Sequence, residues 1–140
     1  MIVYRGTPYR ERRLRPAGYE CVFFASTFDT AADYAAGEKA VDEKGWGYVA
    51  KWDVGRQKLL DADDQKAVAK VFGRPPLQED QILFFEPTMD WVEAVMAKGY
   101  TGTRLGDDLC VFDASDAELL SAWRVELSES GRSWQKRPVA

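Results

Sequence analysis

The chain has 140 residues, 46% apolar and 30% charged, a composition that suits one folded soluble domain and excludes disordered or collagen-like polymers. It has no histidine and only two cysteines, Cys21 and Cys110, which removes imidazole bases, His-ligated zinc and four-thiolate metal sites. The net charge of −4 is uneven, with +4 over residues 1–15, −10 over 16–123 and +2 over 124–140, so a local anion site on an acidic body is expected rather than non-specific nucleic-acid binding.

Ile2, Val3 and Tyr4 open as a short strand and run into the turn signal Arg5-Gly6-Thr7-Pro8. An Arg-rich loop over 9–19 contains Arg10, Arg12, Arg13 and Arg15. The continuous apolar run Cys21-Val22-Phe23-Phe24-Ala25 predicts a buried strand. Ser26 and Thr27 offer a hydroxyl cap for an alanine-rich helix over 29–37, closed by Gly37. Strands are expected over 46–54 and 58–61, then a helix over 63–72 that Gly73 stops.

Residues 74–87 read as a loop interrupted by the apolar stretch Ile82-Leu83-Phe84-Phe85. An amphipathic helix over 88–98 carries a core stripe of Trp91, Val92, Val95 and Met96 and ends at Gly99. Residues 100–105 and 109–112 predict a hairpin around Gly106-Asp107. Ser115-Asp116-Ala117-Glu118 has the form of a capping box for a short helix. A last strand is expected over 122–127, and from Ser128 the chain turns polar and is expected to fray. This order of elements favours an α+β domain over 1–127 with a polar tail over 128–140. No apolar run approaches 18 residues and the start lacks a signal-peptide pattern, so a cytoplasmic setting is expected. Cys21 and Cys110, both within apolar runs, are then expected as reduced core thiols.

Val3-Tyr4-Arg5-Gly6-Thr7, Phe24-Ala25-Ser26-Thr27-Phe28 with the helix that follows, Gly99-Tyr100-Thr101-Gly102, and Asp108-Leu109-Cys110-Val111-Phe112-Asp113 occur in this order along the chain. Together they resemble the motifs of ADP-ribosyltransferases of the Arg-Ser-Glu class, as small prokaryotic and phage members carry them, over roughly residues 2–126. The resemblance implies two small mixed β-sheets forming an NAD cleft with flanking helices. It implies an enzyme that cleaves NAD, its substrate, without a metal and transfers ADP-ribose to a macromolecule, more a protein than a nucleic acid. A bacterial or phage effector acting in the bacterial cytoplasm, directed at a defence or host protein, fits its small size.

Three positions depart from the family pattern. Phe28 stands where the third residue of the Ser-Thr-Ser triplet is expected. Asp108 replaces the catalytic glutamate, similar in kind to phage anti-CRISPR ADP-ribosyltransferases. Gly106 falls on the first glutamate of the Glu-x-Glu motif used by arginine-modifying members, which disfavours an arginine acceptor.

Each site residue also has a plainer reading. Under the resemblance Arg5 holds the NAD pyrophosphate, a task that suits a planar multi-donor cation; by itself it is a surface arginine. Gly6 either lets backbone amides approach the nicotinamide carboxamide or is a turn glycine. Ser26 steadies the nicotinamide ribose pocket beside Thr27, or one of the two caps the helix. Phe28 and Tyr34 are candidates to stack on the nicotinamide ring, or core aromatics. Asp108, with Asp107 as the alternative, supplies the carboxylate that stabilises the oxocarbenium-like transition state, or caps a hairpin. Two other readings remain: an inactive binding protein that blocks a partner through its acidic surface, and an NAD glycohydrolase with water as acceptor.

Overall fold

Thr27 stands where extended backbone gives way to a helix, and its Oγ1 accepts a hydrogen bond from the Thr30 amide at 3.2 Å. The computed structural model describes residues 1–14, 21–41, 44–128 and 133–139. Among them the strands are β1 (Ile2–Thr7), β2 (Val22–Ala25), β3 (Trp46–Asp53), β4 (Leu59–Asp61), β5 (Gly102–Leu105), β6 (Asp108–Val111), β7 (Glu118–Leu127) and β8 (Trp134–Pro138). The helices are α1 (Phe28–Ala36), α2 (Gln65–Phe72), α3 (Glu79–Phe85) and α4 (Met89–Ala97). The mixed α+β class is as expected, but two small sheets are not found. The strands form one eight-stranded sheet in the order β4-β5-β6-β2-β1-β3-β7-β8.

The chain divides into two compact units. The first comprises residues 1–14, 24–55 and 116–140. Its strands β1, β3, β7 and β8 form an antiparallel ladder, with Gly6 opposite Val49, Val49 opposite Trp123 and Arg124 opposite Arg137. Helix α1 lies on one face of that ladder and buries Ala31, Ala32, Ala35 and Ala36 against Val49 and Val125. The approach is unusually close. A Cβ built at Gly6 would fall on the Ala31 carbonyl, and one at Gly47 on the Ala35 carbonyl. Gly6 is therefore neither a turn residue nor an opening toward a ligand: the helix backbone occupies the space where its side chain would be.

The second unit comprises residues 15–23 and 56–115. Strands β4 and β5 are parallel, and β5 and β6 form the expected antiparallel hairpin, with Leu105 opposite Asp108 and Gly106 at φ +60°. Asp64 caps α2 by accepting from the amides of Lys66 and Ala67, and Gly73 ends it at φ +65°. Phe84, Leu60, Val71, Trp91, Val95 and Phe112 lead its core.

Five sequence expectations are corrected. The loop over 74–87 contains α3. Its start is held by Asp80, which accepts from both guanidinium nitrogens of Arg74 (3.2 and 2.8 Å) and from the Leu77 amide, and it buries Phe84 completely. Met96 does not complete the α4 stripe; it is 53% exposed, while Trp91, Val92 and Val95 are buried. Ser115 caps no helix, because its amide donates to Asp113 Oδ1 in an Asx-type turn and the chain enters β7 directly. Residues 134–138 do not fray but pair with β7. Cys21 and Cys110 are fully buried, as expected, but they are joined as a disulfide, their Cα atoms 6.1 Å apart. Among the described residues, no helix is long and apolar enough to cross a membrane.

Candidate functional site

Side chains alternate across a strand, so β1 presents Tyr4 and Gly6 to α1 and Arg5 to the opposite face. The contacts agree: Tyr4 packs against the α1 cluster and meets Phe28 edge-on, ring centroids 6.1 Å apart. On the other face the Arg5 guanidinium forms a two-pronged ion pair with Glu11, Nε to Oε1 at 2.5 Å and Nη2 to Oε2 at 3.1 Å. Both side chains are largely buried, at 18% and 13% exposure. A guanidinium fork held this way already grips a planar anion.

Ser26 follows β2, whose Ala25 pairs with Tyr4 on the α1 side. Ser26 itself lies past the end of the strand, in the bend that leads into α1, and is partly buried. Thr27 is the helix cap. It accepts from the Thr30 amide and donates to the Thr30 hydroxyl at 2.9 Å. Of the two hydroxyls the sequence left open, Thr27 takes the structural role.

Phe28 and Tyr34 do not join Arg5. Phe28 begins α1 and packs edge-on against Tyr4 and Trp123, with the Lys136 ammonium 4.8 Å from its ring centre. Tyr34 lies on α1 with Lys39 at 5.1 Å from its ring. On Arg5's face β3 sets Trp52, buried opposite Val3, and Tyr48 and Trp46, whose rings are 6.1 Å apart and nearly perpendicular. Register places Thr7, Tyr48, Arg124 and Arg137 in one cross-strand row, beside the row of Arg5, Ala50 and Ala122. Arg124 lies 4.5 Å from the centre of the Trp46 ring and Lys44 lies 3.7 Å from it. These aromatic and cationic residues were missed in the sequence because their proximity comes from strand pairing across gaps of dozens of residues.

Two open hollows belong to this unit. One of about 380 Å³ is lined by Phe28, Asp29, Ser133, Trp134 and Lys136. The other, about 250 Å³, is lined by Arg124, Glu126, Gln135, Lys136 and Arg137. The second holds two arginines directly opposite each other on β7 and β8, an arrangement that costs energy unless an anion or solvent screens it.

In the other unit, Asp108 is the first residue of β6, partly buried and opposite Leu105 at the mouth of the hairpin. Asp107 is in the two-residue turn between the strands. Arg104 Nε donates to the Gly106 carbonyl at 2.9 Å and fastens that turn. Of the basic loop, Arg10, Arg12 and Arg13 fall outside any strand or helix, and Arg15 lies outside the described residues. Among the described residues no group of three or more Cys, Asp and Glu side chains could hold a metal ion. Comparison with protein-family models, curated proteins and solved structures found no match.

Proposed function

We propose that the chain is an ADP-ribosyltransferase-like enzyme that binds NAD, breaks its nicotinamide–ribose bond and passes ADP-ribose to a macromolecular acceptor, in the first instance a bacterial protein. The observation that supports this reading is the Arg5 guanidinium on β1, paired with β2 and the Ser26 bend that follows it in the order of the Arg-Ser-Glu motifs, with Tyr48, Trp46 and Arg124 on Arg5's face of the ladder. A largely buried guanidinium fork suits a pyrophosphate, and neighbouring aromatic rings suit a flat heterocycle. The ring-stacking role moves accordingly from Phe28 and Tyr34 to Tyr48 and Trp46, and Gly6 leaves the ligand-binding set for a packing role.

In this proposal Asp108 is the carboxylate that the family motif assigns. As the C1′–N bond breaks, nicotinamide departs with the bonding electrons and positive charge develops on the ribose ring. A fixed carboxylate stabilises that charge, and the acceptor nucleophile then forms the new bond at C1′ and loses its proton. No metal enters the proposed chemistry. A phage or bacterial effector working in the bacterial cytoplasm is part of the same proposal, as is the finer assignment to an ADP-ribosyltransferase fold.

The test is incubation of the protein with NAD carrying a labelled adenylate, with and without bacterial lysate. Free nicotinamide together with a labelled macromolecule supports transfer. Labelled free ADP-ribose alone would mean that water is the acceptor and the activity is NAD glycohydrolase. No nicotinamide release would sink the enzymatic reading. A second reading, a protein that binds a partner without turnover, is favoured by one observation: the Arg5 fork is already engaged by Glu11.

A further inference from the structure

Residues 75–97 contain five acidic side chains, Glu79, Asp80, Glu86, Asp90 and Glu93, and no lysine or arginine. Asp80 is buried and paired with Arg74, so Glu79, Glu86, Asp90 and Glu93 are the carboxylates this stretch presents to solvent. It holds α3 and α4, whose inner sides are already satisfied: Phe84, Trp91, Val92 and Val95 lie in the core. Yet the same segment leaves Leu77, Ile82, Phe85, Met89 and Met96 between 49% and 58% exposed. These are large apolar groups in water on a surface that has no need of them for packing.

Their spacing is regular. On α3, Ile82 and Phe85 are three residues apart, with Glu79 one turn before Ile82 and Glu86, which ends the helix, directly after Phe85. On α4, Met89 and Met96 are two turns apart, with Glu93 between them on the same side. Each helix thus presents half-exposed apolar anchors set among carboxylates, and on α4 they border the core stripe, since buried Val92 lies one turn from both methionines. Methionine suits such a surface because its flexible, polarisable side chain adapts to the shape that covers it.

We propose that the outer faces of α3 and α4 form a docking surface for a protein segment that carries apolar side chains among lysines and arginines. Charge complementarity selects this occupant. A second copy would set the same four exposed carboxylates against each other, and nucleic acid or an anionic lipid surface would be repelled. The apolar anchors supply affinity by burial, and the carboxylates steer a basic partner and fix its register. The inference goes beyond the proposed NAD chemistry and does not depend on it, since docking is read with no NAD present.

The probe is a synthetic amphipathic helix of lysine and leucine, about 18 residues long or about five turns, titrated into the full chain by calorimetry at two salt concentrations. Its glutamate–leucine counterpart and an oligolysine of equal charge serve as comparators. The lysine–leucine peptide is expected to bind, more weakly at high salt, and more tightly than oligolysine. Ile82→Ser/Phe85→Ser and Met89→Ser/Met96→Ser change only exposed side chains, and each pair is expected to weaken binding about tenfold, roughly 1.4 kcal/mol. Oligolysine binding should be indifferent to both pairs. Glu86→Lys/Glu93→Lys should weaken the lysine–leucine peptide and flatten its salt dependence. Equal affinity for wild type and the serine variants, with circular dichroism showing intact folds, would overturn the proposal. Equally tight binding of the glutamate–leucine peptide would overturn the charge argument. A wild-type dimer in sedimentation that the serine pairs abolish would assign the surface to a second copy instead.

Discussion

Arg5 and Glu11 close a two-pronged ion pair across a six-residue step, with Nε–Oε1 at 2.5 Å and Nη2–Oε2 at 3.1 Å and both side chains mostly shielded from water. The carboxylate occupies the position on the guanidinium fork that a phosphate of NAD would need. Under the proposed function, Glu11 competes with the ligand for the same donors.

The first expectation follows from that competition. Glu11→Gln should raise NAD affinity, because the fork loses its charged partner. Arg5→Lys keeps the charge but loses the fork and should lower affinity by roughly 1.5–3 kcal/mol, the scale of hydrogen bonds to charged groups. Calorimetry with NAD checks both; an Arg5→Lys protein that binds NAD as wild type does would remove Arg5 from the site.

Asp108→Asn preserves size and removes charge. If the carboxylate stabilises the developing ribosyl cation, the transfer rate should fall about 10²–10³-fold with little change in NAD affinity. Asp107→Asn, in the turn, should be mild. Wild-type turnover in Asp108→Asn would show that the carboxylate lies elsewhere, and nicotinamide release under saturating NAD is the measurement.

Gly6→Ala separates packing from ligand approach. The added Cβ would collide with the Ala31 carbonyl, a backbone atom that cannot step aside without moving α1. A loss of stability of about 2–3 kcal/mol or more is expected in chemical denaturation. A stable Gly6→Ala protein that had lost only NAD binding would contradict the packing role.

Joining Cys21 to Cys110 spans 89 positions of sequence, and the chain-entropy model gives about 4–5 kcal/mol for a loop of that size. Cys21→Ser/Cys110→Ser should therefore unfold at distinctly lower denaturant, and a reductant should shift wild type the same way while leaving the double variant unmoved. Free-thiol trapping on protein drawn directly from bacterial cytoplasm checks the proposed setting, because a persistent bridge belongs to an oxidising compartment.

Asp80 gives a pH dependence of known sign. The side-chain hydrogen bonds from Arg74, aided by the Leu77 amide and opposed by burial, hold its carboxyl below the ordinary value of 3.8. The stabilisation is fully present above that value and is lost as the pH falls through the lower, folded-state value. Asp80→Asn should cost about 1–2 kcal/mol at neutral pH, modest because Arg74 is partly solvent-exposed, and should reduce the acid sensitivity of unfolding below about pH 4. An unchanged acid transition would refute the assignment.

Elements with strong local signals were legible in the sequence. Thr27 and Gly37 bracketed α1, Gly73 and the apolar spacing marked α2, and Gly106-Asp107 marked the β5–β6 hairpin. Helix α3 was not, because Gln78 provides no side-chain cap and the helix depends on Arg74 reaching six residues ahead to Asp80. Strand β8 was hidden by polar residues, as expected of an edge strand with one partner. Arg5 and Ser26 were legible as candidates, but the rings beside Arg5 were not. Strand register, which local pattern does not fix, decides that Tyr48 faces with Arg5, while Phe28 goes with α1 to the Tyr4 side.

The Cys21–Cys110 bond also makes the middle of the polypeptide a closed covalent ring, from which β1 at one end and the β7–β8 hairpin at the other emerge as open arms. A protease that nicks the ring leaves a single molecule of unchanged mass apart from one water, until thiols are added and it falls into pieces. A nick in either arm sheds a fragment at once. Gels run with and without reductant on the same digest thus sort the first cuts by topology. They report whether breathing begins inside the loop that carries all four helices or in the strands tethered to it.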